Sequence, residues 1–393
     1  MPRFDPWDQG DKIFSSTAFS SDGPVGGPHT TPRGTRRQNQ FFLLSARRVR
    51  LDLHRHLEGS HSPAALAAVA QQFGIVDPVF FDARLQRYRT PDELTHALTM
   101  SKPSDDALLF YRCITKARAA YTSVAAIAEL ARLAFVEAAA ETDGFEMRVS
   151  LFSMTRTLLD HEGLAWRDMG PMAFAERART LVLALVAARD DAVVSEKKPI
   201  LLRVGFSRTF ESEPHYRAMA AILREHRDAI CGLDVLGIVI GPDKEPMPRA
   251  LHDILVSLRA DIPDLTIHAG EFEGHGSVDR SLALEPQGIG HGVRSVDNPA
   301  TLARLARAGV TLEVCPTSNR MLIPSVVAQL ETSGTPLRRL QQAQVHCVLG
   351  SDDPTPMATS FSAEWDLAVS LGVDMDLLKR DTERRWRQLP TPR

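Results

Sequence analysis

Eight short apolar, β-branched runs recur along the chain, and the stretches between them carry helical patterns. The runs are VRLDLH (49–54), FEMRVSL (145–151), PILLRVGF (199–206), CGLDVLGIV (231–239), LTIHAG (265–270), GIGHG (288–292), VTLEVC (310–315) and VHCVLGSD (345–352). The segments AFAERARTLVLALVAARDD and PATLARLARAGV fall between them. In the second, Leu302, Leu305 and Ala306 mark one face, and Gly309 is placed to end the helix. Strands alternating with helices build βαβ units on a parallel sheet. Eight such units predict an α/β fold, a (β/α)8 barrel of the TIM type. The first unit is over-long, so extra helices are expected after strand 1. They would occupy residues 60–144 and lie over the C-terminal rim.

The barrel domain is expected to span residues 49–378. Residues 1–48 include FSSDGPVGGPHTTPRGTRRQNQ, which is rich in Gly, Pro, Ser and Thr and has no period. They read as a flexible N-terminal tail. Residues 379–393 read as a frayed helix and a C-terminal tail. A formal net charge of −3 gives no electrostatic case for a nucleic-acid partner or an anionic membrane surface. No apolar run of about 18 residues is present, so no transmembrane helix is predicted. Cys113, Cys231, Cys315 and Cys347 have no paired spacing, which argues against a disulfide framework and against a CxxC metal site. A cytoplasmic protein acting on a small molecule is expected. Its oligomeric state is not readable from the chain.

A barrel predicts that chemistry-bearing residues sit at the C-terminal ends of the strands. In LDLHRHLEGS (51–60), His54, His56 and Glu58 alternate and would share one face of a strand. His268 closes the fifth run, His291 the sixth, and Asp352 and Asp353 the eighth. A single strand-end histidine is usually a satisfied polar residue, and an Asp-Asp-Pro can be a turn. Four separate strand ends carrying such groups are better explained by one shared site. Three histidine nitrogens and one carboxylate oxygen make a donor set suited to a catalytic zinc; iron and manganese are also compatible.

The stretches HRHLEGS, HAGE, GIGHGV, LEVCPTSN and GSDDP occur in this order at strand ends, with FEMRVS and GLDVLG at the second and fourth strands. Together they resemble the adenosine deaminase family of the metal-dependent amidohydrolase superfamily, over about residues 49–375. The resemblance implies one Zn²⁺ per chain, held by His54, His56, His268 and Asp352. It implies catalytic roles for three residues. Glu271 protonates N1 of a purine, His291 orients a zinc-activated hydroxide, and Asp353 hydrogen-bonds that hydroxide or N7. His56, Glu58, Gly237 and Asp353 are the expected substrate contacts, with the Gly237 N–H reaching N3. The implied reaction is deamination of adenosine or 2′-deoxyadenosine to inosine or 2′-deoxyinosine plus ammonia. Adenine, aminodeoxyfutalosine, or another amide or ester on the same barrel are the alternatives. A binding protein without catalysis would be expected to lack at least one of these groups, and all are present.

The chain departs from the family pattern at several positions. Glu58 stands where aspartate is usual, and Leu151 where proline is usual. Ile238 and Val239 follow Gly237 where acidic residues are common, and Thr335 precedes Pro336 where histidine is common. These positions bear on substrate choice rather than on the metal.

Overall fold

A computed structural model of the chain describes residues 50–390. The expected N-terminal tail, 1–48, lies outside the described residues. Eight parallel strands follow one another around a barrel. They are β1 (Leu51–His56), β2 (Gly144–Val149), β3 (Ile200–Ser207), β4 (Gly232–Leu236), β5 (Leu265–Ala269), β6 (Gly288–His291), β7 (Thr311–Val314) and β8 (His346–Leu349). Both faces of the strands are covered, as parallel sheets require, so apolar residues dominate them and the charges they carry are buried. Closure is made just past the end of β8. The His56 N–H donates to the Asp352 carbonyl at 2.8 Å, and the Asp352 N–H donates to the His54 carbonyl at 2.8 Å. The seam of the barrel therefore runs through three residues expected to hold the metal, His54, His56 and Asp352.

The long first unit holds four helices: α1 (Pro63–Gln72), α2 (Pro91–Leu98), α3 (Ala107–Arg118) and α4 (Val124–Glu141). Each start is written locally. Ser62, Thr90, Asp106 and Ser123 cap the four N-termini with side-chain oxygens, and Thr90 with Glu93 forms a reciprocal capping box. A small hairpin pairs Phe81–Asp82 with Arg87–Tyr88.

The barrel interior is not purely apolar. Arg203 bonds Glu146 and Asp264 at 2.6–2.7 Å, and Arg148 bonds Glu146, Asp234 and Glu313. All six are buried. The chain of charges is closed from below by the last helix, Met375–Gln388. The expected boundary at 378/379 does not match this helix, which runs across it as one ordered element. Its Arg385 bonds Asp264 through both guanidinium nitrogens at 2.6 and 2.7 Å, and its Asp381 accepts from the Cys347 N–H at 3.0 Å. Residues 379–388 are thus part of the barrel floor. The frayed reading failed because the helix hides its buried charges among many exposed ones. Arg385→Met removes one partner of a buried pair and is expected to destabilise the fold by on the order of 3–5 kcal/mol, read as a shift in the urea midpoint. Among the described residues, no helix is long and apolar enough to cross a membrane.

Candidate active site

The C-terminal rim collects the expected residues. His54 and His56 come from β1, His268 from β5 and Asp352 from the segment after β8; one ligand atom from each falls within 4.8 Å of all the others. The Nε2 atoms of His56 and His268 are 3.1 Å apart, and Asp352 Oδ1 is 3.4 and 3.5 Å from the Nε2 atoms of His56 and His54. Metal bonds of about 2 Å directed to the corners of a tetrahedron put donor atoms about 3.3 Å apart. The four groups therefore fit a metal ion, and the buried His54 Nε2 makes no hydrogen bond within the described residues. A second grouping exchanges His56 and His268 for His291 and Cys315. It is the poorer donor set: burial pushes the Cys315 thiol well up, against the thiolate a metal needs.

Carboxylates behind the histidines select the tautomer. His54 Nδ1 lies 3.1 Å from Glu313 Oε2, and His268 Nδ1 lies 3.2 Å from Asp234 Oδ1. Each carboxylate accepts the Nδ1–H, which leaves the Nε2 lone pair facing the cluster. Arg148 bonds both carboxylates and keeps the group charge-balanced. Sequence reasoning did not find Glu313, Asp234 or Arg148. The signal present was a charge at alternate positions of otherwise apolar strands, in TLEV, GLDVL and GFEMRV.

Beside the cluster stand the expected acid–base groups. His291 Nε2 is 3.5 Å from Glu271 Oε2 and 3.8 Å from Asp352 Oδ2. Asn319, another residue the sequence reading gave no role, holds the far side of the ring, 3.0 Å from Nδ1. Burial drives the His291 imidazole well below its usual range, with the facing Asp352 carboxylate opposing the shift. Burial also lifts the Glu271 carboxyl well above the carboxylate range. The charges of Asp352 and Glu245 add to the lift, and Arg208 opposes it. Asp353 is lifted likewise, by burial first and then by Asp352. Asp352 is held well below the carboxylate range against its burial, because His291 and His54 face it. His291 and Asp352 both have φ of 60°, a costly conformation for residues with a Cβ. Such outliers gather where a side chain must be aimed.

The expected substrate contacts lie at the same C-terminal rim. Gly237 directly follows β4 with φ of 83°. Glu58 Oε1 accepts from the Ser150 N–H at 2.9 Å and from Arg118 at 3.4 Å. Its Oε2 is buried and has no partner. Arg118 comes from α3, as does Tyr111, whose hydroxyl meets the Ile238 backbone and lies near Glu271 and Asp353. Contacts from an inserted helix leave no trace in strand-end motifs, so neither residue was foreseen. Gly59 is required by packing, because a Cβ there would run into the Asp353 carboxylate.

Comparisons with known proteins agree with this geometry. The adenosine deaminase family model matches residues 50–383. The chain is 29% identical over 338 residues to an adenine deaminase of Chelativorans, covering 85% of this chain and 91% of that protein. It is 28% identical over 341 residues to an aminodeoxyfutalosine deaminase of Acidothermus cellulolyticus, covering 84% of each. Among solved structures, an adenine deaminase from Arthrobacter aurescens superposes with a TM-score of 0.66 at 20% identity, covering 86% of this chain and 93% of that one. The chain belongs to the adenosine deaminase family, on a (β/α)8 barrel.

Proposed function

We propose that this protein is a metal-dependent hydrolytic deaminase whose substrate is a 6-aminopurine, with the free base adenine preferred over adenosine. The observation that carries the deaminase reading is the Glu271–His291–Asp352 arrangement. It sets a buried carboxyl, lifted well above the carboxylate range, beside a histidine and the metal-ligand cluster. His54, His56, His268 and Asp352 would hold the metal, taken as a single Zn²⁺ from the donor set. When bound, such an ion lowers the pKa of a coordinated water to about 7 and so supplies a nucleophile at neutral pH.

The remaining chemistry falls to the chain's own groups. Adding a hydroxide oxygen to C6 breaks the ring conjugation and drives charge onto N1. Glu271, held neutral, donates its proton there. The resulting carboxylate can take the proton of the added oxygen and deliver it to the exocyclic nitrogen, which leaves as ammonia. His291 Nε2 orients the oxygen and steadies developing charge. The Gly237 N–H is placed to bond N3, and Asp353, its carboxyl pushed up by burial and by Asp352, to bond N7.

Substrate choice rests on Glu58. The sequence reading placed adenosine and 2′-deoxyadenosine first. The adenine deaminase relative and the Glu58 geometry favour the free base instead. Glu58 is a methylene longer than the usual aspartate, and Arg118 and Ser150 fix its Oε1. The buried Oε2 lacks a donor. Free adenine carries a ring N–H that can supply one, whereas N9 of adenosine is substituted. An unpaired buried carboxylate oxygen is costly, so a ligand that satisfies it is selected. The test is a side-by-side kcat/KM for adenine, adenosine, 2′-deoxyadenosine and aminodeoxyfutalosine, with adenine expected highest. A higher value for any nucleoside would reverse the substrate assignment. Arg118→Met releases Glu58 to meet a ribose hydroxyl. It is expected to raise adenosine relative to adenine by roughly tenfold in kcat/KM, the worth of one charge-assisted hydrogen bond.

A further inference from the structure

Glu271 sits on a turn that nothing in strand β5 itself holds in place. Gly270, the residue before it, has φ of 68°, and a Cβ there would press against Val278 at 2.7 Å. The turn leaves three consecutive backbone N–H groups, of Gly270, Glu271 and Phe272, pointing the same way. All three donate to one carboxylate. Glu245 Oε2 accepts from the Gly270 N–H at 2.8 Å; its Oε1 accepts from the Glu271 N–H at 3.1 Å and the Phe272 N–H at 2.8 Å. The Ser277 hydroxyl donates to Oε2 as well. Glu245 is only 3% exposed, and its position is imposed from the other side. Arg208, also buried, donates to the Glu245 and Pro246 carbonyls at 3.2 and 2.8 Å and to the carbonyl of His268.

Glu245 lies in the connection from Gly237 to Arg249, the segment where the chain lacks acidic residues immediately after its glycine. A carboxylate that accepts four hydrogen bonds, three from successive backbone groups, is a rigid anchor. Among the described residues, its side-chain hydrogen bonds go to this turn and to Ser277. What it fixes is the backbone from which the Glu271 side chain departs.

We propose that Glu245 is a positioning residue for the reaction: its buried carboxylate, clasping the N–H groups of Gly270, Glu271 and Phe272, aims the Glu271 carboxyl at the purine ring. The proposal rests on the proton-donor reading of Glu271. Glu245→Gln replaces one acceptor oxygen by an NH₂ group facing N–H donors, so the turn must shift. A misplacement of about 1 Å at a reacting group costs on the order of 10²-fold. The alternative is that Glu245 only supports the fold or the metal.

The test is a double-mutant cycle on metal-loaded protein with adenine as substrate, measuring kcat, KM and metal content on the same samples. Glu245→Gln is expected to lower kcat by about 10–100-fold, with metal content unchanged and KM altered less than about threefold. Because Glu245 acts through Glu271, adding Glu245→Gln to Glu271→Gln is expected to cost less than about twofold more. Glu245→Asp keeps the charge but falls a methylene short; it should show a smaller loss and the same non-additivity, and it carries the cycle if the Gln variant does not fold. Wild-type kcat in Glu245→Gln, loss of metal with activity, or additive losses in the double variant would each overturn the proposal. Wild-type turnover in Glu271→Gln with full metal would overturn the proton-donor reading as well, and so is distinguishable from failure of the Glu245 step alone.

Discussion

Glu271→Gln is expected to keep its metal, to bind adenine within a few-fold of wild type, and to lose on the order of 10²–10⁴-fold in kcat. Glutamine matches glutamic acid in shape and fills the same buried space, but it has no carboxyl proton to release. The effect should reach the upper end of that range, because the same group serves twice: once toward N1 and once toward the leaving nitrogen. The competing role, a support for a metal ligand, predicts a different pattern. Glu271 Oε2 lies 3.5 Å from Nε2 of His291, a ring outside the four-ligand cluster. Metal content and kcat measured together on the variant distinguish the two. A fall in both would assign Glu271 to the metal rather than to the purine.

Asp352→Ala is expected to be the most damaging single change at the site, with metal content near zero and activity reduced by on the order of 10³-fold or more. Asp352 supplies the only carboxylate of the cluster, and its backbone closes the barrel between β8 and β1. The side chain can be removed without touching those backbone bonds, so circular dichroism should stay native. Milder losses are expected one layer out. Glu313→Gln and Asp234→Asn leave the four ligands in place but weaken the selection of tautomer at His54 and His268. Each should lower metal affinity by about 10–100-fold, read by competition with a chelator. An Asp352→Ala protein that retains stoichiometric metal would contradict the ligand assignment.

The sequence carried the barrel and the rim for one physical reason. In a (β/α)8 fold, a residue's distance along the chain is irrelevant to the rim, but its place at a strand end is not. His54, His268, His291 and Asp352 are separated in turn by 214, 23 and 61 positions in sequence, yet each ends an apolar run, and that pattern is visible one strand at a time. The four helices after β1 were legible as an excess of helical pattern, and their caps at Ser62, Thr90, Asp106 and Ser123 are local. What stayed hidden depends on contacts between distant elements. Glu313 and Asp234 read as stray charges until the fold sets them behind His54 and His268. Arg118 reads as an ordinary basic residue closing a helix until α3 lies against Glu58. The last helix reads as frayed because its exposed charges outnumber Asp381 and Arg385, which are buried only once the barrel floor exists. Substrate preference was hidden for the same reason: Glu58 was visible as a departure, but its fixed and free oxygens are properties of its neighbours.

The account is tested most directly by incubating zinc-loaded protein with adenine and following hypoxanthine and ammonia together. The prediction is one ammonia released per hypoxanthine formed, with kcat/KM above that for adenosine. Conversion of adenosine with adenine left untouched would contradict the free-base assignment, and no ammonia from any 6-aminopurine at full metal occupancy would contradict the deaminase function.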